Sequence, residues 1–240
     1  MILALTGHVK ENLNIRCLFF IHHQLPCTLD QPEPLAMPQL ILASSSPYRR
    51  ELLARLKIPF EFISPNIDET PLPQESPQQL CERLSRAKAQ AISQQHPSAI
   101  VIGSDQVASL NGAPLGKPGD AARACEQLQA CSAERVDFYT GLCVQQGETQ
   151  WFHLAHTQVV FRALSLAEIH AYLAAEQPFD CAGSFKAEGL GICLFEAINS
   201  QDPTDLIGLP LIALSRLLRQ FGLHSLSAMQ SSPPPAGTDP

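Results

Sequence analysis

Short apolar runs that break at serine, glycine or proline recur along the chain, and between them lie stretches whose apolar residues keep helical spacing. The first run, Leu40, Ile41, Leu42 and Ala43, is read as a strand that ends in three serines. Ser46 is then placed to cap a helix and Pro47 to open it, because proline fixes a helical φ and has no amide proton left to satisfy there. Leu52, Leu53 and Leu56 supply that helix's apolar face. "FEFISP" (60–65) predicts a second short strand, running into the acidic, proline-rich loop "NIDETPLP". A second Ser-Pro start opens a helix over 76–93, with Leu80, Leu84, Ala87 and Ala91 as its stripe and Lys88 at the stripe's border. "AIVIGSDQVASL" (99–110) begins as a continuous apolar run, the pattern of a strand buried on both faces, and Asp105 is expected just past the strand's carboxyl end.

Further along, "APLGKPGD" turns on Gly116 and Pro118, and a helix is predicted from near Asp120. "VDFYTGLCV" and "TQWFHLAHTQVVF", rich in aromatic and β-branched residues, predict two strands around the "QQGE" turn at 145–148. Ser165 is placed to cap a helix through Ala175, and a last helix runs from about Pro210 to Gly222. Helices and strands interleave around an antiparallel hairpin, which predicts an α/β fold with a mixed sheet. With no internal repeat and no linker, one domain is expected over 37–224. Residues 1–36 are read as an extension upstream of the fold, since Met37 stands immediately before the first well-punctuated segment. Residues 225–240, ending "SSPPPAGTDP", have the composition of a disordered tail.

No apolar run approaches the ~20 residues that a membrane-spanning helix needs. A formal net charge of −7 argues against a protein that wraps a nucleic acid polymer by charge alone. It leaves room for a small anionic substrate, which needs only a local basic pocket or a bridging metal ion. The cysteines at 17, 27, 81, 125, 131, 143, 181 and 193 form no C-x-x-C pair. They read mostly as small buried hydrophobes, in a reducing compartment such as the cytoplasm.

Candidate chemistry starts at the first helix. Arg49 and Arg50 lie in its first turn, beside the positive end of the helix dipole, where a cation typically costs ~0.3–1 kcal/mol. A strand end, a serine-rich turn and a helix N-terminus together hold phosphate well, and the arginines then become its charge partners. The alternative is that both simply point into water. The chain lacks G-x-x-x-x-G-K-[ST], so this is no Walker-type P-loop. Asp105 admits three roles: holding a divalent cation, taking a proton from water, or bonding nearby amides in a turn. Asp68 and Glu69 offer hard oxygen ligands, Lys117 a charge in a constrained loop, and Lys88 a charge reaching inward from the second helix. His153 and His156 face opposite sides of their strand, no zinc spacing emerges, and neither G-x-S-x-G nor H-E-x-x-H occurs.

"LILASSSPYRRELL", "IDET", "RAKAQA", "VIGSDQV", "GKP", "FYTGL", "CAGSFKAEGLG" and "DPTDLIGLPL" follow one another in an order and spacing that resembles the Maf family of nucleotide pyrophosphatases. The likeness runs from about Met37 to Leu223. It implies an elongated α/β fold of the inosine-triphosphatase-like type, often dimeric, with a cleft between its halves. It also implies metal-dependent cleavage of a nucleoside triphosphate between the α and β phosphates. Carried over motif by motif, Asp105 is the proton acceptor, Ser44, Arg49 and Lys117 are phosphate contacts, and Glu69 and Lys88 belong to the same polar cleft. Three positions imply a branch. Members acting on dTTP and UTP usually have Arg, Thr and Gln where this chain has Tyr48, Gln106 and Glu188. The combination found here resembles the branch acting on 7-methyl-GTP, although Trp is the commoner aromatic at the position of Tyr48. N7-methylation makes guanine cationic, which an aromatic face and a carboxylate both favour; Glu188 is equally able to accept from the guanine N1–H and amino group.

The expected mechanism uses Mg²⁺ or Mn²⁺, held partly by Glu69 and Asp105, to polarise phosphate oxygens. Arg49, Lys88 and Lys117 offset charge on the departing pyrophosphate. Base and metal ligand are hard roles for Asp105 to hold at once, and the sequence does not choose between them. The rivals are a dTTP/UTP or broad non-standard-nucleotide pyrophosphatase and, from another class, a cell-division regulator that senses nucleotides without turnover.

Overall fold

A computed structural model describes residues 38–224 and Leu226. The proposed extension over 1–36 and the remainder of the tail lie outside the described residues. Strand β1 (Leu40–Ala43) leads into helix α1 (Pro47–Ala54), and β2 (Glu61–Ile63) into α2 (Pro77–Ser93). Then come β3 (Ile100–Leu110), β4 (Ala113–Leu115), α3 (Ala121–Cys131), β5 (Arg135–Gln146), β6 (Thr149–Phe161) and α4 (Leu166–Glu176). Two short 3₁₀ turns (Ala182–Ser184 and Leu190–Leu194) precede β7 (Phe195–Asn199) and α5 (Leu211–Gln220). The mixed sheet has the order β2-β1-β3-β5-β6-β7, with β4 also on β3. Pairing is parallel among β2, β1 and β3, and antiparallel elsewhere.

Alternation along the strands divides the core. Leu40, Leu42, Ile100 and Ile102 pack with Leu52 and Leu53 of α1 and Leu214, Leu217 and Leu218 of α5. Ile41, Ala43 and Val101 turn the other way, onto Ala89 and Ile92 of α2. The far half of the sheet has its own core, in which Phe138, Val159 and Phe161 pack against Leu128 of α3 and Ile169 and Leu173 of α4. The local signals for helix starts act as expected. Ser46, Ser76, Asp120 and Ser165 each cap a helix through a side-chain oxygen.

Four expectations need correction. Residues 113–115 and 195–199 form strands that the sequence pattern does not announce, because each is short and owes its conformation to a partner strand. Asp105 lies in the middle of β3, since Gly-Ser-Asp continues the strand along β5. The buried face of α2 runs through Leu80, Cys81, Leu84, Ser85, Lys88, Ala89 and Ile92, so Lys88 is inside the stripe while Ala87 and Ala91 flank it. Among the described cysteines, all of them free, Cys81, Cys131 and Cys143 are buried, whereas Cys193 is exposed.

The sheet positions the site through a gap. Residues 101–110 of β3 pair continuously with β5 on one side. On the other side β1 covers 100–103 and β4 covers 108–110, which leaves Ser104 to Val107 without a strand neighbour there. Asp105 and Gln106 occupy that gap, on opposite faces because side chains alternate. Buried backbone groups need partners, and α2 supplies them: the Asp105 amide donates to Ser85 Oγ at 3.0 Å, and its carbonyl accepts from Cys81 Sγ at 3.4 Å. This close packing depends on glycine. A Cβ on Gly103 would lie 2.3 Å from the Ser85 carbonyl oxygen, and one on Gly141 would lie 2.3 Å from Ser85 Oγ.

Candidate active site

Beside the gap opens a cleft of about 800 Å³. Ser44, Tyr48, Arg49, Glu69, Lys88, Asp105, Gln106, Lys117 and Glu188 all line it, so the structure brings the nine sequence-predicted site residues together. Eight of them come from the first half of the fold, between the end of β1 and the loop after β4, and Glu188 joins them from the stretch between the two 3₁₀ turns.

Lys88 is the hub of one end. Its Nζ lies 2.6 Å from Asp105 Oδ1 and 2.7 Å from Glu69 Oε1. The side chains of Lys88 and Asp105 are 7% and 10% exposed, so this pair is effectively inside the protein, while Glu69 is half open to solvent. Burial pushes the Glu69 carboxyl up, but the hydrogen bond and charge of Lys88, with the charges of Lys117 and Arg49, outweigh it and hold the group below its ordinary value. Asp105 Oδ2 has no hydrogen bond to a described residue and remains available to a ligand or water.

Arg49 projects from the first turn of α1 and is fixed from the opposite face. Its Nε donates to the Gly208 carbonyl at 2.8 Å, the same oxygen that accepts from Ser104 Oγ at 3.1 Å. That leaves both terminal guanidinium nitrogens without a partner among the described residues, directed by a scaffold they do not have to hold together. Its neighbour Arg50 is a correction: its guanidinium lies over the Phe62 ring, 4.4 Å from the centroid, and does not line the cleft. Adjacent residues of a helix point about 100° apart around its axis, enough to send the second arginine to β2. Asp68 is another, because it accepts from the Thr70 amide at 2.9 Å in an exposed turn while Glu69 alone enters the cleft. His153 and His156 also lie outside the cleft lining, and His156 stacks on Tyr139. The serine turn itself is knitted by its own side chains: Ser46 N donates to Ser44 Oγ at 3.1 Å and Arg49 N to Ser46 Oγ at 3.4 Å.

The other end has the opposite character. Burial pushes the Tyr48 hydroxyl up, followed by the nearby Cys181 thiol and then by the charges of Asp180 and Glu188. An aromatic ring thus stands among acids at one end of the cleft, and three cations surround two carboxylates at the other. Gln106 is partly committed: its Nε2 donates to Thr140 Oγ1 (3.0 Å) and to the carbonyls of Asp205 (3.1 Å) and Leu206 (3.0 Å). Through these contacts it ties down the 202–208 loop that carries Gly208. Sequence reasoning missed that strap. The only signal was the "DPTDLIGLPL" segment, which the family resemblance included without a role for its residues.

Among the described residues no group of three or more His, Cys, Asp and Glu converges on one point. Two carboxylates do meet, at Lys88, and each keeps one oxygen that Lys88 does not hold, which suits a cation that draws its remaining ligands from substrate phosphate and water.

Fold and site together define an α/β protein with a polarised, nucleotide-sized cleft on a strand of a mixed sheet. The chain belongs to the Maf family, since residues 39–221 match the family described as Maf-like protein. It is 56% identical to the 7-methyl-GTP pyrophosphatase of Bordetella avium over 189 residues, 79% of this chain and 96% of the relative. It is 54% identical to the 7-methyl-GTP pyrophosphatase of Bordetella pertussis, covering 81% of this chain and 98% of that one. A protein of the same name from Cupriavidus metallidurans is 56% identical over 80% of this chain and 97% of its own.

Proposed function

We propose that this protein is a pyrophosphatase that hydrolyses 7-methyl-GTP to 7-methyl-GMP and pyrophosphate, and so clears a modified nucleotide. The observation that carries the reading is the polarity of the cleft. Glu69 feels the charges of Lys88, Lys117 and Arg49, while Tyr48 feels those of Asp180 and Glu188. A triphosphate fits the first end. A guanine made cationic at N7 fits the second, where an aromatic face and carboxylates both favour it. Relatives more than 50% identical over nearly their whole length carry the name of this activity.

In the reaction a water oxygen bonds to the α-phosphorus and the bond from that phosphorus to the bridging oxygen breaks, so pyrophosphate leaves. Asp105 takes the water's proton at Oδ2, the oxygen that Lys88 does not hold. Lys88 holds Asp105 in place through Oδ1, and Arg49 and Lys117 offset the charge on the departing pyrophosphate. Mg²⁺ or Mn²⁺ held partly by Glu69 would polarise the phosphate oxygens, and Asp105, with one oxygen on Lys88 and the other on the water's proton, would serve as base rather than as a ligand. Ser44, at the end of β1, contacts phosphate, and Tyr48, Gln106 and Glu188 face the base.

The test is a panel of 7-methyl-GTP, GTP, UTP and dTTP, each with and without Mg²⁺ or Mn²⁺, scored by pyrophosphate release. Fastest release from 7-methyl-GTP, dependent on metal, is expected. A preference for UTP or dTTP overturns the substrate, and nucleotide binding without product under every condition overturns the enzyme.

A further inference from the structure

Glu188 sits on an irregular stretch, and its position is set from helix α4. Lys186 opens the stretch, and its amide donates to the Tyr172 hydroxyl at 3.0 Å. The Lys186 ammonium donates to the Glu176 carbonyl at 3.0 Å, capping the end of α4. Leu190 closes the stretch, and its amide donates to Glu176 Oε1 at 2.8 Å. Tyr172 and Glu176 are one helical turn apart, so a single turn of α4 clamps both ends of Lys186–Leu190, with the exposed Glu188 at its centre facing the cleft. Gly189 makes the approach feasible, because a Cβ there would lie 2.7 Å from Glu176 Oε1. The Glu176 carboxylate has no salt bridge among the described residues, and its partner is the Leu190 backbone amide. What the clamp needs from it is an acceptor oxygen rather than a charge.

We infer that Glu176, with Tyr172, is a positioning residue for base selection: it holds Glu188 where a 7-methylguanine ring is recognised. The inference rests on the substrate reading above. A loop free to sample other conformations keeps the carboxylate but loses its geometry, so discrimination falls while phosphate chemistry, handled by Asp105 and Lys88, persists.

The experiment measures kcat/KM of the full chain for 7-methyl-GTP and for GTP, and takes their ratio. In Glu176→Ala the ratio is expected to fall about three- to fivefold, the scale of one exposed hydrogen bond lost. Glu176→Gln, which keeps the acceptor, should restore it to within about twofold of the parent on the same scale. In a Glu188→Ala background, Glu176→Ala should leave the ratio unchanged, because the residue acts through Glu188. An unchanged ratio in Glu176→Ala, or the same loss in the Glu188→Ala background, overturns the inference. Should Glu176→Ala fail to fold, Tyr172→Phe removes the acceptor at the other end of the clamp, and an unchanged ratio there overturns it equally. A parent enzyme that does not distinguish the two nucleotides overturns the substrate reading first, before any variant is compared.

Discussion

At the end of the cleft that we propose takes the phosphates, Asp105 stands in mid-strand and Lys88 on the buried face of a helix, and both are nearly inaccessible. At the base end, Asp180, Cys181 and Glu188 lie on a stretch whose only regular structure is two short 3₁₀ turns, held from outside by α4. The contrast follows what each end must do. Every nucleoside triphosphate presents the same phosphates, so that machinery can be built into the rigid sheet. The base differs among substrates, and recognition of variable groups commonly lies on loops carried by a fixed scaffold.

Disabling the rigid end should give the largest effect. Asp105→Asn keeps the shape of the side chain but removes the proton acceptor. Turnover is expected to fall about 10³-fold, within the usual range for a general base, in a protein that still folds; near-normal pyrophosphate release would remove Asp105 from the mechanism.

Lys88→Met should damage stability as well as rate. It strands the buried Asp105 carboxylate and leaves Glu69 beside it with no shared cation, and breaking a buried pair in this way typically costs about 3 kcal/mol or more. Urea unfolding reads the loss, and combining it with Asp105→Asn should recover part of the stability. An additive double variant would mean that the pair is not coupled.

A third prediction contrasts Glu69 with Asp205 on the 202–208 strap. Asp205 is buried, its Oδ1 finds no partner, and burial, opposed by a Ser200 hydrogen bond and reinforced by the Asp202 charge, raises its carboxyl from 3.8 to about 6. The folded protein therefore keeps a proton there that the unfolded chain has released, so this group's contribution to stability falls as pH rises from about 4 to about 6, by up to ~3 kcal/mol. Glu69, held below its usual value, acts in the opposite sense: its contribution is present above the ordinary carboxylate range and is lost on acidification. Unfolding free energies at pH 4, 5, 6 and 7 should show a shallower decline in Asp205→Asn than in the parent; identical slopes would refute the assignment.

The smallest effect is expected at Arg50. Arg50→Ala gives up one exposed cation–π contact with Phe62, about 0.5–1 kcal/mol, and should leave kcat unchanged. A large loss of activity would return this arginine to the phosphate site.

What the sequence made legible was whatever is settled locally. Capping serines, the proline that opens α1, the 145–148 turn and the long hairpin strands all depend on neighbours within a few residues. The strands β4 and β7 escaped because partners distant in space impose them. The site residues were legible through their motifs, but their arrangement was not. Lys88 looked peripheral until the sheet beneath α2 buried it, and Arg50 looked equivalent to Arg49 until the helix turned it away. The Gln106 contacts to Asp205 and Leu206 join positions about a hundred residues apart, and no spacing along the chain reveals them.

The four-residue interruption beside β3 has a further consequence. Unpaired strand rims are a hazard, because they template pairing with other chains and lead to aggregation. Here β1 and β4 flank the interruption on both sides, and what remains is shorter than a strand of ordinary length. The opening thus admits small molecules while offering foreign polypeptide too little to seat on, the more so because the Asp105 amide and carbonyl within it are already taken by Ser85 and Cys81.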